Sequence, residues 1–339
     1  MKTKKVYTFL MAGVIGMSAL TGCGINKDEV VATYKGGKAK LGEANFIARY
    51  NQLTKGSLYK QQAAGDIWNM DLTGNGTTMA DSEIERSLEE YHEMLTMQAH
   101  QKEKGVELTK DEKAKIAEAS KKFIKDNKKD ALEEMTATES VVNEYLTLCT
   151  IKEKMYNEIV KDADDKVSDA DANMSSYTAI KIDTLQKYDP QTGQKSIYTD
   201  AERNKINETA QKISDEISNG ADMKTTAEKY GYTTTESSYA KDDENLDAAV
   251  KKELNSLNEG QVSKLIKTQA ASYIVRLDKK VDEKATATHR TQIIQTRKQQ
   301  LYSKILKKWQ KKDNWKVKKS AMKKISFKND LSKKQTKKN

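Results

Sequence analysis

A single proline, Pro190, stands in 339 residues. Proline is the residue that most reliably breaks a helix, so little in this chain ends one except its caps. Readable starts recur at Ser82 with Glu85, Thr109 with Glu112, Thr136 with Glu139 and Thr199 with Glu202. In each, a hydroxyl residue is followed three positions later by a glutamate, the pattern of a capping box. After Ser82 the apolar positions Ile84, Leu88, Tyr91 and Leu95 repeat at helical spacing as far as Gly105. A more polar helix follows Thr109 through Ile116 and Phe123, and Val141, Tyr145, Leu148, Met155 and Ile159 mark another. With 36% hydrophobic and 32% charged residues, the chain suits long surface helices that each bury one stripe. A polytopic membrane protein is excluded. The length sets a prior of two modules.

Upstream, Val30 to Tyr34, Gly36-Gly37 and Lys38 to Leu41 read as a hairpin, followed by a helix from Glu43 to about Ala64. Residues 66–81 read as a loop. Its Asp66, Asn69 and Asp71 lack the spacing of an EF-hand, and a plain turn is expected. Three histidines and two cysteines leave little for a zinc site, and neither metal nor cofactor is expected.

The N-terminus reads as an export signal. Lys2, Lys4 and Lys5 precede an uncharged run from Val6 to Leu20, too short for a bilayer span, which needs about 20 residues. The run ends in Leu20-Thr21-Gly22-Cys23, which resembles the bacterial lipobox, in which the signal is cleaved before a lipid-linked cysteine. A plain signal with an incidental Cys23 is the alternative. Acyl chains on Cys23 would hold the protein on the outer face of a membrane. Cys149 would then be the one remaining thiol, and its spacing with Val142, Tyr145 and Tyr156 places it on an apolar helix face. A packed thiol is expected there rather than a catalytic one.

Charge is segregated along the chain. From Lys304 to Asn339 there are 15 lysines against Asp313 and Asp330. This end could meet anionic lipid or cell-wall polymer, or be a solvated surface. Nucleic acid is a poor candidate, because few aromatics interleave with the lysines.

The texture changes at Val167-Ser168-Asp169. A strand at Tyr177 to Ile182 precedes a helix bearing Ile206, Ala210, Ile213 and Ile217, then a short helix from Met223 to Tyr230. Strand-like sequence follows, then a helix from Leu246 to Leu254 and a strand from Ser272 to Leu277, together a compact α+β module. A long helix from Ala285 to Lys312 carries Ile294, Leu301, Ile305 and Trp309 on one stripe, and Trp315 to Val317 and Ile325 to Phe327 read as short strands.

Specific phrases then resemble a known family. Val30 to Gly36 followed by Lys40-Leu41-Gly42-Glu43 resembles the opening of the SurA/PrsA-type foldases, and Gln101 to Thr109 is similar to one of their helix junctions. Ser218 to Tyr230 is similar to the parvulin "GADF-LA-YS" segment, and Leu257 to Ser263 with Lys267 to Leu277 resembles its last turn and strand. The resemblance implies an α+β, mostly helical fold. Its parts are a lipoprotein signal peptide (1–22), an N-terminal helical chaperone module (23–165), an inserted parvulin-like domain (166–283), a C-terminal helix and strands that pack back on the N-terminal module (284–329), and a basic tail (330–339). It implies a membrane-anchored extracytoplasmic chaperone that binds unfolded, newly exported polypeptides. Parvulins place a histidine in the first strand, where this chain has Ala179, and a second where it has Tyr273. Their pocket phenylalanine falls on Val250, and their glycine-rich turn is missing between Thr233 and Leu246. With these gone, little or no catalysis of peptidyl-prolyl isomerisation is expected. An active but divergent isomerase is the alternative. A solute receptor would need alternating strands and helices in two lobes, a pattern the sequence lacks.

Overall fold

The computed structural model describes residues 25–60, 67–189, 191–327 and 331. The signal segment, Cys23, Pro190 and the basic tail other than Leu331 lie outside the described residues. The chain divides into two units, one formed by the residues up to 163 together with those from 299, the other by residues 164–298.

The first unit opens with the hairpin β1 (Val30–Tyr34) and β2 (Gly37–Lys40), followed by α1 (Leu41–Lys60). A 3-10 turn over Ile67–Asn69 leads to α2 (Met79–His100), α3 (Lys110–Asp126), α4 (Lys129–Glu134) and α5 (Glu139–Ile159). Two of the four expected caps stand elsewhere. Helix α2 begins a turn before Ser82, capped by Thr78 with Asp81 reaching back, since an aspartate at the third position closes the box as well as a glutamate does. Before α5 the cap is Thr138, which accepts from the Val141 amide. Thr136 is held at φ 52, and its hydroxyl donates to the Gly42 carbonyl at 2.7 Å, so it has no helix end to serve. In the loop before α2, Asp71 accepts from the amides of Thr73, Gly74 and Gly76, which makes it the organiser of a turn and holds its carboxyl below the usual range.

The second unit contains α6 (Asp169–Ala172), β3 (Ser175–Asp183), the hairpin β4 (Gln186–Tyr188) and β5 (Lys195–Ile197), α7 (Asp200–Ser218), α8 (Met223–Lys229), β6 (Thr234–Tyr239), α9 (Ala248–Ser256), β7 (Ile266–Lys267) and β8 (Ala271–Lys279). The sheet runs β6-β3-β8-β7, antiparallel throughout. Side chains alternate across it. Ile180, Ile182 and Ile274 meet Ile213 and Ile217 of α7 and Met223 of α8 on one face. Ala179, Val275 and Leu277 meet Val250 and Leu254 of α9 on the other. Helix α7 stops where Gly220 takes φ 96, a conformation that costs glycine little.

Helix α10 (Glu283–Asp313) starts in the second unit and ends in the first. Asn314 at φ 52 turns the chain into β9 (Lys316–Val317) and then α11 (Lys319–Met322). Strand β9 pairs with β1, so that Ala32 stands opposite both Ala39 and Val317 in a three-stranded sheet. Tyr302 and Trp309 pack with Met97, Val106, Ile151 and Met155. The strand expected at Ile325 to Phe327 is absent. That segment is coil in which Ile325 and Phe327 are buried and Ser326 is exposed, with the Ser326 carbonyl taken by Arg49 at 2.9 Å and the Phe327 ring set edge-on against Trp68 at 5.1 Å.

Asp313, buried at the end of α10, accepts from Thr96 Oγ1 at 2.7 Å and His92 Nε2 at 3.2 Å, and His92 stacks on Trp315 at 4.3 Å. Burial pushes the His92 pKa below its ordinary 6.5, against the pull of Asp313. The unfolded chain therefore gains a proton, as pH drops below about 6.5, that the folded chain refuses, and stability falls with it. Replacing His92 by Gln should flatten that part of the pH dependence, read as urea midpoints between about pH 7.5 and pH 5.5. Equal slopes in both proteins would show that this histidine does not contribute.

Candidate functional site

The positions singled out in the parvulin-like segment converge on one face of the second unit's sheet. On β3, Tyr177, Ala179 and Lys181 alternate onto it, and on β8 Tyr273, Val275 and Leu277 do the same, with Ala179 opposite Val275 and Lys181 opposite Tyr273. Helix α9 lays Val250 over them, and Tyr239 of β6 closes one side, its ring edge-on to Tyr177 at 5.6 Å. Asp247 caps α9 by accepting from the Ala249 amide, which fixes where Val250 begins its turn. Val250 and Ala179 are buried, and Tyr273 is half-buried.

The chemistry available here is limited and definite. Residues 164–298 contain one histidine, His289, and no cysteine. His289 is held away from chemistry, donating from Nδ1 to the Ala172 carbonyl at 3.1 Å. His92 and His100 belong to the first unit. Burial raises the pKa of Tyr177, Tyr239 and Tyr273 above the ordinary phenol value. All three are therefore neutral O–H donors at physiological pH. The Tyr239 hydroxyl already donates to Asn255 Oδ1 at 3.2 Å. An apolar floor edged by neutral donors can hold an extended peptide and offer its carbonyls a hydrogen bond.

The sequence carries no distinct signal for two features of this unit. Tyr177 stands two residues from Ala179 and so shares its face, but Tyr239 joins it only through the pairing of β6 with β3. The second feature is the β4–β5 hairpin. Its pairing of Gln186 with Ile197 and of Tyr188 with Lys195 puts Tyr188 and Ile197 on one face, 62% and 68% exposed. The hairpin is tied at its base, where the Thr184 and Leu185 amides donate to the Ala270 carbonyl, beside the start of β8.

An open groove of about 470 Å³ is lined by Thr178, Glu236, Arg276, Asp278 and Asp282 among others; it shares Tyr177 with the candidate face but none of Ala179, Val250 and Tyr273. Within it Arg276 Nε donates to Asp278, and Thr178 Oγ1 donates to the same carboxylate. Among the described residues, no cluster of histidine, cysteine, aspartate or glutamate is placed to hold a metal ion, and no helix is long and apolar enough to cross a membrane. In the first unit, burial pushes the Cys149 thiol up to about 12, and its sulfur packs 3.8 Å from Met94 Sδ.

Residues 183–288 match the family model of the PPIC-type PPIASE domain. The chain carries a parvulin-type domain. The match takes in Val250 and Tyr273 and begins four residues after Ala179. No curated protein matches the chain. Among solved structures, it is similar to the foldase protein PrsA from Streptococcus pneumoniae at 20% identity, covering 76% of this chain and 97% of that one with a TM-score of 0.27. It is similar to the peptidylprolyl isomerase PrsA from Bacillus cereus at 17% identity, covering 91% and 100% with a TM-score of 0.32. The foldase protein PrsA from Lactococcus lactis matches at 16% identity, 88% and 97% coverage and a TM-score of 0.33.

Proposed function

We propose that the protein is a membrane-anchored, extracytoplasmic foldase of the SurA/PrsA type, lipidated at Cys23, that holds unfolded exported polypeptides while they fold. Its parvulin-type domain acts in this reading as a peptide clamp with little or no isomerase turnover. The observation that carries it is the sheet face around Ala179, Val250 and Tyr273. It offers apolar cover and neutral phenol donors, and the one histidine of its unit is bound to a backbone carbonyl. The exposed Tyr188 and Ile197 extend the apolar surface available to an unfolded segment.

Isomerisation must cross a barrier of about 18–20 kcal/mol set by the amide's partial double bond. An enzyme lowers it by binding the twisted amide better than the planar one. The neutral phenols of Tyr177 and Tyr273 at the edge of an apolar floor are the feature that favours the second reading, a divergent active isomerase.

A paired assay separates the two. The protein is expected to suppress aggregation of a chemically unfolded client and to leave proline-limited refolding at its uncatalysed rate. Tyr188→Ser with Ile197→Ser should weaken the suppression by severalfold. A robust acceleration of refolding that is lost in Tyr273→Phe would establish the isomerase instead.

A further inference from the structure

Residues 304–324 carry ten lysines and one acidic residue, Asp313, which is buried. Residues 41–163 of the same unit have the opposite bias, with 17 basic against 23 acidic residues. The ten lysines are all exposed. On α10, Lys304, Lys307, Lys308 and Lys311 recur at the spacing that aligns side chains along one face of a helix, opposite the buried Tyr302, Trp309 and Asp313. Lysines also stand on the small sheet. Thr33 pairs with Lys38 on one side and Lys316 on the other, so both lysines project from the outer face, while Ala32, Ala39 and Val317 occupy the inner one. Among the described residues, Lys324 alone of the ten has an ion-pair partner, Glu29 at 2.7 Å. Nine uncompensated lysines on one continuous stretch repel one another, so this surface costs the unit stability and calls for an anionic counter-surface.

The start of the chain identifies that surface. Strand β1 is joined directly to the lysine-rich segment, through its pairing with β9 and through the Lys318 amide, which donates to the Val31 carbonyl at 2.8 Å. Cys23 precedes Val30 by seven residues, a span of at most about 25 Å when fully extended. A lipid on Cys23 would thus confine this surface close to the bilayer. We propose that the lysine surface formed by the end of α10, β9 and the β1–β2 hairpin docks on anionic phospholipid headgroups of the membrane to which the chain is anchored. The identity of that membrane rests on the lipid-anchor reading above. Acyl chain and basic surface then act as two anchoring signals, and the second fixes how the first unit faces the bilayer.

The test removes the lipid and keeps the surface. The chain from residue 23 with Cys23→Ser retains every described residue, and it is floated with vesicles of phosphatidylcholine containing about 30% phosphatidylglycerol, and with phosphatidylcholine alone. Binding is expected to the first only and to weaken as salt shortens the screening length. Replacing Lys307, Lys308, Lys311 and Lys316 by Gln should lower partitioning on the order of a hundredfold. The same change at Lys113, Lys115, Lys121 and Lys125, exposed on or beside α3, should leave it within about threefold. Circular dichroism checks that both variants are folded. Equal losses in the two variants, or equal binding to both vesicles, would overturn the proposal. So would binding to soluble poly(glycerol phosphate) with none to vesicles, which would assign the surface to a wall polymer. Fatty-acid labelling of the wild-type chain reports on Cys23 separately, so a failed anchor and a failed surface are told apart.

Discussion

Ending the chain at residue 298 is expected to abolish the cooperative unfolding of the first unit. The removed segment supplies β9, the third strand of a sheet whose other two form only a hairpin, and an isolated hairpin is marginal in water. It also removes Tyr302 and Trp309 from one core cluster and Ile325, Phe327 and Leu331 from another. Deleting a single buried aromatic side chain costs about 3–5 kcal/mol, and a whole domain is stable by only about 5–15 kcal/mol. Three such aromatics exceed what the helices of residues 41–159 can spare. Trp68 becomes the one remaining tryptophan, and its fluorescence through a urea titration should change without a sigmoidal transition. A sharp transition with an unchanged midpoint would show that the N-terminal helices hold together alone.

The second large effect concerns Arg49. This side chain is 2% exposed and donates to Glu134 Oε2 at 2.7 Å, to Gln52 Oε1 at 2.6 Å and to the Ser326 carbonyl at 2.9 Å. One cation thus joins α1, the end of α4 and the buried coil before the tail. Arg49→Met keeps most of the volume but removes the cation and its three hydrogen bonds. Removing one partner of a buried ion pair costs about 3–5 kcal/mol, and Glu134, 25% exposed, places this pair at the lower end. A loss of about 3 kcal/mol in the urea-derived stability is expected, with partial recovery in Arg49→Met combined with Glu134→Gln, where the abandoned carboxylate is gone. A loss below about 1 kcal/mol would mean that water replaces the arginine at this site.

What the sequence disclosed follows the strength of its local signals. Thr109 and Thr199 begin helices because each box faces a helix with a buried stripe, Ile116 and Phe123 in one case, Ile213 and Ile217 in the other. Thr136 carried the same letters, yet tertiary contact with Gly42 claimed its hydroxyl and left Thr138 to cap. The β4–β5 hairpin is invisible in the sequence because every residue of its two strands is exposed, so no alternation of apolar and polar positions marks it. Ile325-Ser-Phe327 alternates as a strand should, but its backbone is satisfied by Arg49 and Gln52 side chains rather than by a neighbouring strand. On the candidate face, Ala179 and Tyr273 could be located through the strand pattern, whereas Tyr177 and Tyr239 become partners only once β6 lies beside β3. Periodicity reports which face a residue occupies, and it is silent about which strand comes next.

The pairing of Ala32 with Val317 closes a loop of nearly the whole chain. A contact this distant in sequence forms late, because the chain entropy lost on closing the loop must be met before the pairing returns anything. On a ribosome or emerging from a translocation channel, the unit of residues 164–298 is complete while the first still lacks its third strand. Until the last forty residues arrive, the Met97, Met155 and Trp68 surfaces that later form its core remain uncovered. The chain itself would pass through synthesis with its first unit unfinished, and its yield should depend on how fast its final segment is delivered.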